Sequence, residues 1–226
     1  MIVAKRKPLE EIKTSVQDYS RVLTVGCGTC VAVCLAGGEK EVASLNAELS
    51  MARKIDKSPV ELGAVTVERQ CDREFLAELD HMIDDYQAII SMACGVGIQF
   101  LAERFPHKPV FPGVDTTFMG ANQDVGWYEE RCRGCGTCVL AYTAGICPVT
   151  TCSKGLFNGP CGGTNKGKCE VNPDTPCAWQ LIYERLELQN RVANIMPIFP
   201  AQEWRNQVPR TVVQPGYEQK VGVEER

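Results

Sequence analysis

A chain of 226 residues, 44% of them hydrophobic, can bury a sizeable core and needs no covalent staples to fold. Its net charge of -4 and pI near 5.4 give no bulk attraction for nucleic acid or an anionic membrane surface, and no apolar run approaches the roughly 18 residues of a spanning helix. Thirteen cysteines against two histidines mean that metal chemistry here would rest on sulfur, and Cys2His2 zinc fingers are excluded by count.

The start Met1-Ile-Val-Ala-Lys-Arg-Lys reaches charged residues at once and lacks the apolar stretch of a signal peptide, which predicts a cytoplasmic protein with reduced thiols. From Pro8 onward, Leu9, Ile12 and Val16 recur at helical spacing with Glu10 and Glu11 in the first turn, a short amphipathic helix with Pro8 at N1. Arg21-Val-Leu-Thr-Val-Gly26 is a β-rich run that leads into Cys27-Gly-Thr-Cys30-Val-Ala-Val-Cys34, read as strand, turn and helix. Val42, Leu45, Leu49 and Met51 carry a second helix over 38–54, closed by Lys57, Ser58 and Pro59.

The same unit then repeats. Residues 61–70 form a strand ending at Cys71, and Asp72 caps a helix bearing Phe75, Leu76, Leu79 and Met82. Residues 88–93 form a third strand ending at Cys94-Gly-Val-Gly97, followed by a helix to about Phe105 and a fourth strand over 109–112. This alternation predicts an α/β fold with a parallel sheet and right-handed crossovers, whose ligand sites lie at the carboxyl ends of the strands. Cys27, Cys71 and Cys94 all fall at such ends.

Residues 116–123 read as a linker. Beyond them come eight cysteines within forty-six residues: Cys132, Cys135, Cys138, Cys147, Cys152, Cys161, Cys169 and Cys177. The segment has no hydrophobic period and is rich in glycine turns, as expected of chain that encloses metal. Ala178, Leu181, Ile182, Leu186 and Val192 predict a helix to about Asn194, and residues from Pro197 on read as an extended arm with Phe199, Trp204 and Tyr217 as apolar anchors for a partner. The expected organisation is an α/β domain over 1–120, a small ferredoxin-like cluster domain with its terminal helix over 121–196, and a partner-binding arm over 197–226.

Three thiolates at the spacing Cys132-x2-Cys135-x2-Cys138 can wrap three corners of a cubane, the pattern of ferredoxin loops. Cys147 is followed by Pro148 as in ferredoxins, but the gap before it is eight residues rather than three. The arithmetic fits two [4Fe-4S] clusters, one anchored by Cys132, Cys135 and Cys138, the other by most of Cys147, Cys152, Cys161 and Cys169, with Cys177 open. Structural zinc is the competing reading, although zinc favours paired C-x2-C knuckles. The group Cys27, Cys30, Cys34, Cys71 and Cys94 supplies one further site, for a [4Fe-4S] cluster or zinc, with a cysteine to spare; Cys71 or Cys94 alone could also be a buried small hydrophobe.

Gly26-Cys-Gly28 lacks the third glycine of a dinucleotide finger, because Val31 stands there, and Gly95-Val-Gly97 reads as turn chemistry. Glu39, Glu68, Asp72 and Asp115 near the sheet mouth read as solvated or capping carboxylates, and His81 and His107 as surface residues. No catalytic residue is assigned.

Gly26-Cys-Gly-Thr-Cys-Val-Ala-Val-Cys-Leu-Ala-Gly-Gly-Glu-Lys-Glu41, Glu68-Arg-Gln-Cys71, Ala93-Cys-Gly-Val-Gly97, Gly145-Ile-Cys-Pro148, Asn158-Gly-Pro-Cys-Gly-Gly163, Gly167-Lys-Cys-Glu170, Cys177-Ala-Trp179 and Ile182-Tyr-Glu-Arg-Leu186 resemble the methylenetetrahydrofolate reductase C-terminal domain family over about residues 8–190. A free-standing chain of this length resembles the small iron-sulfur or zinc subunit that accompanies the flavin-bearing reductase subunit in acetogenic bacteria. The resemblance implies electron delivery to that partner's flavin, which reduces methylenetetrahydrofolate to methyltetrahydrofolate in the acetyl-CoA pathway. The electron donor would be a ferredoxin, or a hydrogenase, NADH-oxidising or heterodisulfide-reductase-like module. Two other readings stand beside it: a zinc-binding structural adaptor that stabilises the reductase without redox function, and a self-contained reductase.

Overall fold

The computed structural model of the chain describes residues 1–202, 209 and 211–217. It divides into two compact units, Met1–Arg131 and Cys132–Arg226. No helix among the described residues is long and apolar enough to cross a membrane.

The first unit opens with strand β1 (Ile2–Arg6), which the charged start of the chain did not suggest, and helix α1 (Leu9–Ser15), for which Pro8 is the N-cap rather than the first helical residue. Strand β2 (Arg21–Cys27) leads through a four-residue helix α2 (Cys30–Val33) into the long helix α3 (Glu39–Ile55). Strands β3 (Glu61–Val67), β4 (Ala88–Ser91) and β5 (Val110–Pro112) complete a parallel sheet in the order β3-β2-β4-β5. Because β3 lies on one side of β2 and β4 on the other, the chain reverses its winding there. The carboxyl end of β2 is therefore a switch point, where open α/β sheets offer a crevice.

A central parallel strand is covered on both faces, and the alternation along β2 shows how. Val22 belongs to a core with Ile12, Val16, Val42, Leu45, Leu49 and Ile90, whereas Leu23 and Val25 enter another with Leu76, Leu79, Ile89, Leu101 and Phe105. Thr24, which has no exposed surface, donates its hydroxyl to Asn46 Oδ1 at 2.6 Å, and Asn46 Nδ2 donates to Gly63 O at 2.9 Å. The buried polar groups are thus paired, as burial requires.

The helix expected after Asp72 is shorter. Asp72 does cap it, accepting from the Glu74 N–H, but α4 (Arg73–Leu76) passes into 3-10 turns at Ala77–Leu79 and Ile83–Asp85. Leu76, Leu79 and Met82 are spaced by three, the 3-10 repeat, so the tighter winding keeps all three toward the sheet. Helix α5 (Gly95–Arg104) starts at Gly95, so Gly95 and Gly97 belong to its first turn and not to a loop.

The expected linker over 116–123 is the middle of a strand. β6 (Val114–Asp124) pairs antiparallel with β1, Ile2 against Met119 and Arg6 against Val114, and turns into β7 (Trp127–Cys132), giving a second sheet in the order β1-β6-β7. The partner of β6 lies more than a hundred residues away, and β6 itself shows no clean alternation, which is why its sequence does not announce it.

Gly37 joins α2 to α3 where the chain crosses the exit of β4. A Cβ built there would lie 1.8 Å from Met92 O, a backbone atom that cannot swing aside. Gly37→Ala is expected to destabilise the first unit by about 1–3 kcal/mol, the usual cost of overpacking, read as a lower urea midpoint with unchanged slope.

Among the described residues of the second unit the regular elements are α6 (Pro148–Thr151), α7 (Ala178–Leu188) and a 3-10 turn at Val192–Ile195. Ala178, Trp179, Ile182 and Leu186 form the buried stripe of α7, and Ile146 packs with the last three. The helix stops earlier than its apolar pattern suggests because Asn190 takes a left-handed conformation (φ 55°) and Arg191 N–H donates back to Leu186 O at 2.8 Å, a helix-ending turn.

Candidate metal centres

The loops that leave β2, β3 and β4 carry the cysteines of the first unit. Cys27 is the last residue of β2, Cys30 begins α2, Cys71 follows β3 by four residues and Cys94 is the N-cap of α5. Cys27 is buried, Cys30 and Cys94 half-buried, and Cys71 exposed, so the group opens outward through Cys71. Partial burial pushes the Cys71 thiol up, and the neighbouring thiols of Cys27, Cys94 and Cys30 push it further, because a thiolate there meets three more sulfurs. All four therefore lie on the chain that leaves the carboxyl ends of β2, β3 and β4.

Cys34 stands apart in character. It is buried, accepts the Ala4 N–H at 3.4 Å and lies 3.6 Å from the carbonyls of Ala4 and Val31. Burial raises its pKa, which is the behaviour of a small core residue. Its sulfur is bound into the packing of β1 against α2.

In the second unit one cavity of about 350 Å³, counting its open mouth, is lined by Cys152, Cys161, Cys169 and Cys177 together with Lys154, Glu170 and Trp179. Cys177 is the N-cap of α7, and Trp179 is held by donating its Nε1–H to Leu156 O at 2.8 Å. As a thiol Cys169 donates its S–H to Ser153 Oγ at 3.5 Å. That hydroxyl, with the backbone N–H groups of Asn172 and Val171, lowers its pKa and favours the thiolate. Cys161 Sγ lies 3.4 Å from Glu170 Oε1, and Glu170 is paired with Lys154, which holds its carboxyl below the usual carboxylate range.

The other four cysteines do not line this cavity. Cys132 ends β7 and Cys135 and Cys138 lie in the loop that follows, where Gly134 N–H donates back to Cys132 Sγ at 3.3 Å, and Cys147 is the N-cap of α6. Gln202 Nε2 donates to Thr137 O at 3.3 Å beside Cys135 Sγ at 4.0 Å, and its Oε1 is buried without a hydrogen-bond partner among the described residues. No group of three or more His, Cys, Asp or Glu side chains among the described residues could hold a metal ion as it stands.

Of the arm anchors, Phe199 is used within the second unit. Asn158 grips its backbone from both sides, accepting Phe199 N–H at 2.9 Å and donating to Phe199 O at 2.8 Å, and its ring meets Tyr142 edge-on at 4.9 Å. Tyr217 is 56% exposed, and Trp204 lies outside the described residues. The sequence reading missed Gln70, Ser91, Ser153, Glu170 and Gln202, because single polar residues beside cysteines carry no spacing that marks them.

The arrangement defines a class first: a mixed α/β chain, with one parallel and one antiparallel sheet, followed by a segment whose thiols are grouped in space. Residues 111–205 match the family model described as methylene-tetrahydrofolate reductase C terminal, the family that the sequence motifs resemble, and the match suggests an association of this segment with that reductase. It spans all eight cysteines from Cys132 to Cys177 and none of the five from Cys27 to Cys94. No curated protein matches the chain significantly. Among solved structures, an extracellular ligand-binding receptor from Verminephrobacter eiseniae ef01-2 is 19% identical over 46% of this chain, with a TM-score of 0.36. The aligned part is 28% of that receptor's length, and a likeness so slight bears on neither fold nor function.

Proposed function

We propose that this chain is the iron-sulfur electron-transfer subunit of a methylenetetrahydrofolate reductase complex, delivering electrons to the flavin of a partner subunit. The observation that carries the reading is the cavity lined by Cys152, Cys161, Cys169 and Cys177. Four thiols around one space would supply the four ligands of a [4Fe-4S] cluster once drawn together by the metal, and they leave Cys132, Cys135 and Cys138, with their ferredoxin spacing, and Cys147 for a second. When bound, such clusters take up and release single electrons at potentials set by burial and by hydrogen bonds to sulfur.

The chain's own residues tune those sulfurs. Gly134 N–H on Cys132, and the Ser153 hydroxyl with two backbone N–H groups on Cys169, stabilise negative charge on the ligating sulfurs. In the first unit Cys27, Cys30, Cys71 and Cys94 would hold a [4Fe-4S] cluster or zinc, and Cys34 is the cysteine to spare. The donor would be a ferredoxin, or a hydrogenase, NADH or heterodisulfide-reductase-like module, and the acceptor a flavin-bearing reductase subunit.

A second reading, a zinc-binding structural adaptor, draws support from the Cys27-x2-Cys30 pair with two further single thiols, a knuckle spacing that suits tetrahedral zinc. Metal analysis of anaerobically purified protein separates the two. The expected result is a brown protein with iron and acid-labile sulfide in equal amounts, about eight of each per chain for two clusters, and visible absorption that dithionite bleaches. A colourless protein holding zinc without sulfide would sink the electron-transfer reading and leave the adaptor.

A further inference from the structure

We propose that Gln70 is the positioning residue of the thiol site at the switch point, a single amide that sets the relative placement of Cys27, Cys71 and Cys94. The proposal rests on the reading that those thiols hold a metal. Gln70 and Ser91 have no exposed surface. Gln70 Nε2 donates to Val25 O at 2.8 Å and to Gly26 O at 3.1 Å, the two carbonyls just before Cys27. Gln70 Oε1 accepts the Ser91 hydroxyl at 2.6 Å, and Ser91 Oγ in turn accepts the N–H of Ala93, the residue before Cys94, at 3.4 Å. Gln70 itself immediately precedes Cys71. One side chain thus ties the exits of three strands, each at the residue next to a thiol.

The chain makes room for it. A Cβ on Gly97, in the first turn of α5, would lie 2.8 Å from Gln70 Cβ, so the glycine there lets the glutamine pass under the helix that Cys94 caps. Each polar atom of the Gln70 amide has its partner; an apolar replacement would take the acceptor from the Ser91 hydroxyl and one donor each from Gly26 O and from Val25 O, which would keep only the Met92 N–H. A loop exit free to move by a fraction of an ångström would still fold. It would no longer offer four sulfurs at one set of distances, and groups that orient metal ligands commonly cost 10–100-fold in affinity when removed.

The test uses the full chain, purified anaerobically, as wild type and as Gln70→Leu, Ser91→Ala and Cys71→Ser. Metal transfer to excess chromogenic chelator is followed by absorbance, thermal unfolding by circular dichroism, and Cys71→Ser marks which released metal belongs to this site. Gln70→Leu is expected to release that metal about 10–100-fold faster, with release from the Cys132–Cys177 segment unchanged, and Ser91→Ala to act in the same direction by a smaller factor. If Gln70→Leu lowers the unfolding temperature but leaves the release rate at the wild-type value, Gln70 is a packing residue and the proposal falls while the metal reading stands. If Gln70→Leu does not fold, Ser91→Ala decides, and an unchanged release rate there overturns the proposal. If Cys71→Ser holds as much metal as wild type, the site reading fails and the inference with it.

Discussion

Replacing Cys177 by serine is expected to remove one whole cluster and leave the other, with iron and acid-labile sulfide each falling by about four per chain. The reason is spatial. Spacing alone assigns Cys177 to neither cluster, and it stands at the start of a helix. In the fold it lines the same cavity as Cys152, Cys161 and Cys169, because Cys177 N–H donates to Gly167 O at 2.8 Å and Cys169 N–H to Thr175 O at 3.0 Å, closing a short hairpin between them. Cys147→Ser should therefore abolish a different species from Cys177→Ser. The check is EPR of the dithionite-reduced variants: two distinct signals lost one at a time support the partition, and loss of the same signal in both would refute it.

Stripping metal from the protein should unfold the second unit and spare the first. The apolar core around α7 is small, built on Ile146, Trp179, Ile182 and Leu186, and the loops that carry the cysteines have no hydrophobic face of their own. Core burial on that scale does not offset the ordering of so much irregular chain. Metal binding supplies free energy on the order of 10 kcal/mol in small metal-held domains, which is folding free energy there. The first unit has two cores, one on each face of its parallel sheet, and does not depend on metal in this way. After chelation under oxidising conditions, hydrogen exchange followed by proteolysis and mass spectrometry should show protection lost across residues 132–196 and retained in β2, β4 and α3. Equal retention in both units would mean that the second folds on its own packing.

Much of the first unit was legible because its signals are local. The strand expected over 61–70 and found over 61–67, the helix expected over 38–54 and found over 39–55, and the cysteines at strand exits follow from apolar periods, a proline and glycine stops, each readable within a dozen residues. What escaped was long-range. β1 is charged and short, and β6 reads as a linker because its pairing partner is at the other end of the unit. Gln70 escaped for a related reason: a lone glutamine in Glu68-Arg-Gln-Cys71 looks like any polar residue near a turn, and only the approach of β2 and β4 buries it.

Residue types and spacings by themselves determined that this is an α/β chain, that thiols follow the carboxyl ends of three strands, and that eight more crowd one segment. Those are properties of neighbours along the chain, where helix and strand periods and ligand spacing operate. Which thiols share a space was decided by the tertiary structure alone: Cys152, Cys161, Cys169 and Cys177 line one cavity, and Cys34 is held in the core against Ala4, apart from the thiols at the exits of β2, β3 and β4. A ligand set closed by distant residues depends on the path of irregular chain between them, and that path is set by tertiary hydrogen bonds and packing, which leave no period in the sequence.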